Sequence, residues 1–222
     1  MNYVFFDIEC SDGNHMCSFG YIVVNDKFEV LKKEDIVINP QWRFKLGRAG
    51  FDPRIHLAYD EDTFRNQKPF YKHYDKIKNI LTAEENTILG HAISSDLQFL
   101  TIACERYNLP QIDIQVYDTQ DFYYQYNKQY KFRSLENIIK DLELDTSNLI
   151  EHKSCDDAEI SMLITKEICK RLEISLSDLL NLCSKSIKSR KEKPKKFDKN
   201  NTMYLAMIKT LNKNDLKLKD FD

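Results

Sequence analysis

The 222-residue chain has little of what would take it out of the ordinary globular class. With only five Gly and five Pro it cannot be collagen-like or a low-complexity coil, and 42% hydrophobic residues are enough for a packed core. It lacks any apolar run approaching the roughly 20 residues that a membrane-spanning helix needs. It also lacks a basic, apolar leader: Met1 is followed directly by strand-like sequence. The expectation is an intracellular, cytoplasmic protein without a membrane partner. None of the six cysteines (Cys10, Cys17, Cys104, Cys155, Cys169, Cys183) forms a C-x-x-C pair. That spacing argues against a zinc knuckle and signals no disulfide framework, so they read as reduced thiols, mostly in the core. The length suits one well-cored domain with a small appendage.

The overall charge of −2 is unevenly spread. Residues 185–199 hold eight Lys/Arg against Glu192 and Asp198, a net +6; the last 23 residues carry +1, which leaves −9 on residues 1–184. The division expected is therefore an acidic domain over 1–184 and a basic segment with a C-terminal helix over 185–222. A basic stretch is either a solvated linker or the footprint of a nucleic-acid contact.

Residues 2–9, 16–25 and 28–38 have strand character and are separated by the turn formers Ser11-Asp12-Gly13-Asn14 and Asn25-Asp26-Lys27. Such short connections imply an antiparallel meander. Residues 39–60 are irregular and contain Pro40, Gly47, Gly50, Pro53 and Trp42 beside Arg43, Arg48 and Arg54, a loop able to line a groove or simply to cover surface. Helical periodicity runs from Phe70 to Leu81; a strand at 87–91 and a helix from Ser94 to Tyr107, capped by Ser94 or Ser95, come next. Ile112–Tyr117 reads as a strand ending in Asp118-Thr119, and further helices run through Phe122-Tyr123-Tyr124, from Ser134 to Leu142, and from His152-Lys153-Ser154-Cys155-Asp156-Asp157-Ala158 to Leu172. This order defines an α/β protein: a mixed sheet, antiparallel meander plus parallel strands, flanked by helices.

The chemistry is carried by a few polar positions. Val4-Phe5-Phe6-Asp7-Ile8-Glu9-Cys10 is a hydrophobic strand whose alternation puts Asp7 and Glu9 on one face. Two such acids repel unless neutralised, and hard divalent cations do so most directly. Asp96 falls in the first turn of its helix, where the dipole favours a carboxylate. His152 lies just before the last long helix and Asp157 in its opening turns, so both can face the same cleft.

Taken together, Phe6-Asp7-Ile8-Glu9, the stretch Gly90-His91-Ala92-Ile93-Ser94-Ser95-Asp96-Leu97-Gln98-Phe99-Leu100, and His152 to Asp157 with its His-x4-Asp spacing resemble the three motifs of the DEDDh 3′-to-5′ exonucleases. This is the superfamily of the DNA polymerase III epsilon subunit, RNase T and oligoribonuclease. Asp118-Thr119 and Ser134-Leu135 are also similar to its pattern, and the resemblance covers about residues 1–172. It implies a ribonuclease H-like fold and a two-metal hydrolysis with two Mg²⁺ or Mn²⁺ ions. Asp7, Glu9 and Asp157 would hold one ion, Asp7, supported by Asp96 through water, would hold the other, and His152 would be the general base. It further implies a terminal-nucleotide pocket involving Cys10, Ala92, Ser95 and Phe99. Cys10, Ala92 and Ser95 depart from the residues common there, as Ser154 does in the third motif, so activity is expected but substrate preference is left open. The function expected is release of 5′-mononucleotides from 3′ ends, with single-stranded DNA favoured over short RNA. A non-catalytic module binding nucleic-acid ends or a protein is the competing class, and a protein partner or homodimer is left open.

Overall fold

The structure is a computed structural model that describes residues 1–46, 56–129, 133–184 and 187–189. Its centre is strand β1 (Asn2–Cys10), paired antiparallel with β2 (Met16–Val24), which in turn pairs antiparallel with β3 (Val30–Val37). This is the expected meander. After the short helix α1 (Glu61–Arg65) and a 3-10 turn at Phe70–Lys72 come α2 (Tyr74–Thr82), β4 (Asn86–Gly90) and α3 (Ser94–Arg106). The chain continues through β5 (Gln115–Asp118), α4 (Thr119–Asn127), α5 (Leu135–Leu142), α6 (Ser154–Leu172), α7 (Leu176–Leu182) and β6 (Lys188–Ser189). The sheet order is β3-β2-β1-β4-β5-β6, with β4 parallel to both β1 and β5, and β6 antiparallel to β5.

Alternation along β1 divides the core. Val4, Phe6, Ile8 and Cys10 pack with Ile77 and Leu81 of α2 and Leu97 and Leu100 of α3. Tyr3 and Phe5 face the other layer, with Phe122 of α4, Ile138 of α5, Ala158 and Ile164 of α6 and Leu179 of α7. Helices therefore cover both faces, and only one residue of β2 keeps appreciable exposure. All six cysteines are free and buried. Among the described residues no helix is long and apolar enough to cross a membrane.

Several local expectations are corrected. The period from Phe70 resolves into the 3-10 turn and a helix starting at Tyr74, and the strand expected over 112–117 runs instead over Gln115–Asp118. Neither Ser94 nor Ser95 caps α3: both lie inside it, and its N-cap position is Ile93, without a side-chain cap bond. A carboxylate from elsewhere serves that end, because Asp118 accepts hydrogen bonds from the Ala92 and Ile93 amides at 3.0 and 3.2 Å. Ser134 occupies the N-cap of α5, but its hydroxyl accepts from the Asn137 side chain instead of the backbone. Gly47, Arg48, Gly50, Pro53 and Arg54, most of the basic segment at 185–199 and the C-terminal helix expected over 200–213 lie outside the described residues.

Candidate active site

The acids gather where β1 outruns its neighbour. The β1–β4 ladder ends at the Phe5–Leu89 pair, so the backbone of Ile8 has no strand partner on that side. Asp96 takes that place: its carboxylate accepts from the Ile8 amide at 2.9 Å, which pins the start of α3 between Asp7 and Glu9. Asp7 and Glu9 project from the opposite layer, continuing the face of Tyr3 and Phe5, and there they meet the first turn of α6.

Gly20 allows that meeting. It is the cross-strand partner of Asp7, and a Cβ built on it would lie 1.9 Å from the Cys155 amide nitrogen and 2.0 Å from the Ser154 carbonyl carbon. Only a bare backbone lets α6 sit this close to the sheet. The Ser18 and Ser154 hydroxyls are also hydrogen-bonded across the contact. An isolated Gly inside a strand pattern signals a close backbone approach, but it does not say which element approaches.

The two consecutive aspartates of α6 each hold the segment before it. Asp157 accepts from the His152 amide at 3.1 Å, and Asp156 accepts from the Ile150 amide at 3.1 Å. His152 is thereby held in the left-handed region (φ 59°), with its Nδ1 3.2 Å from Glu9 Oε1. Ligand atoms of Glu9, His152 and Asp157 all lie within 4.8 Å of one another. Asp156, which the motif reading left without a role, is buried against Lys33 of β3 and Lys153.

Charge crowding is the dominant property of the cluster. The Asp7 carboxyl is pushed well above the usual range by burial and then by Asp96, Glu9, Asp157 and Asp35. Burial raises Asp96 strongly as well, with its own and the Ile8 amides opposing. Asp157 is pushed up to about 7 by burial and then by Glu9, while His152 is raised chiefly by its contact with Glu9. Such a cluster of mutually repelling oxygen donors is the donor set of a hard divalent cation, and the residues present fit one.

The pocket residues fare unevenly. Ser95 is exposed and Phe99 half-buried on α3 near Asp96, and Ala92 (φ 51°) forms the turn leading into that helix. Cys10 follows a register shift between Glu9 and Cys10; its thiol is buried with Ile8 in the other layer and is pushed well up by burial and then by Cys17, Glu9 and Asp96. Trp42 stacks on His15 of the β1–β2 turn, with ring centroids 4.5 Å apart.

A mixed sheet between two helical layers, with these acids at the end of its first strand, has the architecture of the DEDDh 3′-exonucleases. The chain belongs to that family: residues 20–168 match the family model DEDDh_C, the DNA polymerase III subunit epsilon-like, C-terminal domain. Asp96, His152 and Asp157 lie within the match, and Asp7 and Glu9 precede it. No curated protein sequence matches the chain. Among solved structures, it is similar to a 3′-exonuclease described in the 3′-end-specific recognition of a histone mRNA stem-loop (TM-score 0.63, 15% identity, covering 77% of this chain and 82% of that one). It is also similar to the nuclease domain of 3′hExo, a DEDDh family member bound to rAMP (TM-score 0.61, 15% identity, 86% and 96% covered). Exonuclease I of E. coli in complex with a dA16 oligonucleotide is a further match (TM-score 0.61, 15% identity), where 83% of this chain spans 43% of the enzyme. At these identities the likeness concerns the fold.

Proposed function

We propose that the protein is a metal-dependent 3′-to-5′ exonuclease that hydrolyses single-stranded 3′ ends to 5′-mononucleotides, with DNA favoured and short RNA as the second substrate. The observation that carries this reading is the convergence of Asp7, Glu9, Asp96 and Asp157 with His152 at one end of β1. In this reading Asp7, Glu9 and Asp157 would hold one Mg²⁺ or Mn²⁺ ion, and Asp7, supported by Asp96 through water, would hold a second. The ions would supply Lewis-acid activation of a water and neutralise charge at the leaving 3′ oxygen. Glu9 and the tie from Asp157 orient His152, whose imidazole accepts the proton of the attacking water, a role suited to a group titrating near neutrality. Ser95, Ala92 and Phe99 border the position of the terminal nucleotide.

The RNA alternative has its own support, since the solved structures similar in fold include one described with a histone mRNA stem-loop and one bound to rAMP as well as a DNA-bound enzyme. The test is a comparison of 3′-labelled and 5′-labelled single-stranded DNA, overhang duplex and short RNA in the same Mg²⁺ and salt. Expected are mononucleotides from a free 3′ hydroxyl, none from a circular strand, and loss of activity in Asp7→Ala with the melting temperature retained. His152→Ala should slow turnover by about 10²- to 10⁴-fold, the usual range for a lost general base. Turnover by Asp7→Ala close to that of the wild type would refute the assignment.

A further inference from the structure

The strand β6 lies beyond the region matched by the family model and adds a sixth strand to the edge of the sheet through Gln115–Ser189 and Val116–Lys188 pairing. Its Lys188 forms an ion pair with Asp118. The Asp118 side chain is fully enclosed, whereas that of Lys188 keeps 30% of its exposure, so the lysine reaches inward from the surface to a buried acid. Asp118 Oδ1 accepts from the Ala92 amide at 3.0 Å and the Gln120 amide at 2.9 Å; Oδ2 accepts from the Ile93 amide at 3.2 Å and from Lys188. The Ala92–Ile93 amides lead directly into α3, whose first turn carries Asp96 to the Ile8 amide. Ala92 itself sits at φ 51°, a left-handed conformation unfavourable for a non-glycine residue that persists only when its surroundings impose it.

We infer that Lys188 is a positioning residue: by its ion pair with Asp118 it fixes that carboxylate against the Ala92–Ile93 turn, and through that turn it holds Asp96 at the end of β1. The physical argument is the cost of a buried charge. A carboxylate withdrawn from water stays ionised only when cations and donors compensate it, and breaking one partner of a buried pair leaves the other uncompensated. Without Lys188, the enclosed Asp118 carboxylate loses its ion-pair partner and is free to turn away from the two amides that fix Ala92, and Asp96 loses its anchor. This differs from a lysine that contacts phosphate, which would contribute affinity rather than geometry.

The test uses the full chain with Lys188→Met, Lys188→Arg and the neutral pair Lys188→Met/Asp118→Asn. Amide hydrogen exchange is read at Ala92 and Ile93 with β2 amides as the internal control. Lys188→Met should speed exchange at the two turn amides about tenfold or more and leave β2 unchanged, Lys188→Arg should match the wild type, and the neutral pair should recover part of the protection. This readout does not depend on the exonuclease reading, whereas the kinetic arm rests on it. There Lys188→Met should lower kcat about 10- to 100-fold on a dinucleotide, in keeping with the sensitivity of catalysis to small displacements, with KM unchanged. A wild type without exonuclease activity would sink the functional reading alone. Unchanged exchange at Ala92 and Ile93 in Lys188→Met, or faster exchange throughout the chain, would overturn the positioning role. If Lys188→Met does not fold, Lys188→Arg and the neutral pair decide the case by the same exchange measurement. A rise in KM with a flatter salt dependence and no change in kcat would show a phosphate contact instead.

Discussion

The carboxyl of Asp157 titrates at about 7 because burial and Glu9 disfavour its charge, while an unfolded chain would ionise it near the ordinary 3.8. Between those values the folded protein binds a proton that the unfolded chain has released, so stability is full below about 4 and is lost as pH rises through the folded pKa. Asp7, Asp96 and His152 are raised as well and act in the same direction, whereas acids lowered by their partners, such as Asp12 and Asp156, matter only in more acidic solution. The cation-free protein is therefore expected to melt at a lower temperature at pH 8 than at pH 5. Asp157→Asn should flatten that slope and Mg²⁺ should raise the pH 8 value, each kcal/mol appearing as about 2–4 °C in a domain of this size. Calorimetry in EDTA at a series of pH values checks this; a melting point that climbs from pH 5 to 8 would contradict the crowding.

At the scale of elements, the decisive contact is α6 against β2. Gly20→Ala places a methyl within 2.0 Å of the backbone of Ser154 and Cys155, and backbone cannot rotate away as a side chain could. The helix must shift, at a cost of about 1–3 kcal/mol or more for overpacking, and it carries Asp157 and the preceding His152 with it. Expected are a fall in melting temperature and a loss of turnover larger than that fall explains. Cys155→Ala should not rescue either, because the obstructing atoms are main-chain; rescue by Cys155→Ala would show that side-chain crowding was the cause. The α3 start makes the same point about reading sequence: Ser94 and Ser95 are good capping residues by type, but Asp118, more than 20 positions later, reaches the turn amides first.

For the whole molecule, the contrast between −9 on residues 1–184 and +6 on 185–199 bears on how a polyanion is held. Lys188 is paired with Asp118, so if the basic segment is a nucleic-acid footprint, the charge left for it is that of residues 190–199, with six Lys/Arg against two acids. Truncation after Ser189 should raise KM on long single strands and reduce its salt dependence while leaving dinucleotide cleavage nearly unchanged, because counterion release scales with phosphates contacted. A lower melting temperature with the salt slope intact would instead assign that end a packing role. The alternating strand at 2–9, the meander, the α/β order and the candidacy of the four acids and His152 were legible in sequence alone, since periodicity and local turn chemistry dictate the elements and the motif spacing survives without coordinates. What only the tertiary structure decided is how they meet. The end of the β4 ladder leaves Ile8 for Asp96, Gly20 admits α6, Cys10 turns to the core, and Lys188 reaches Asp118 across 70 residues. Each depends on long-range register and packing, which no local pattern encodes.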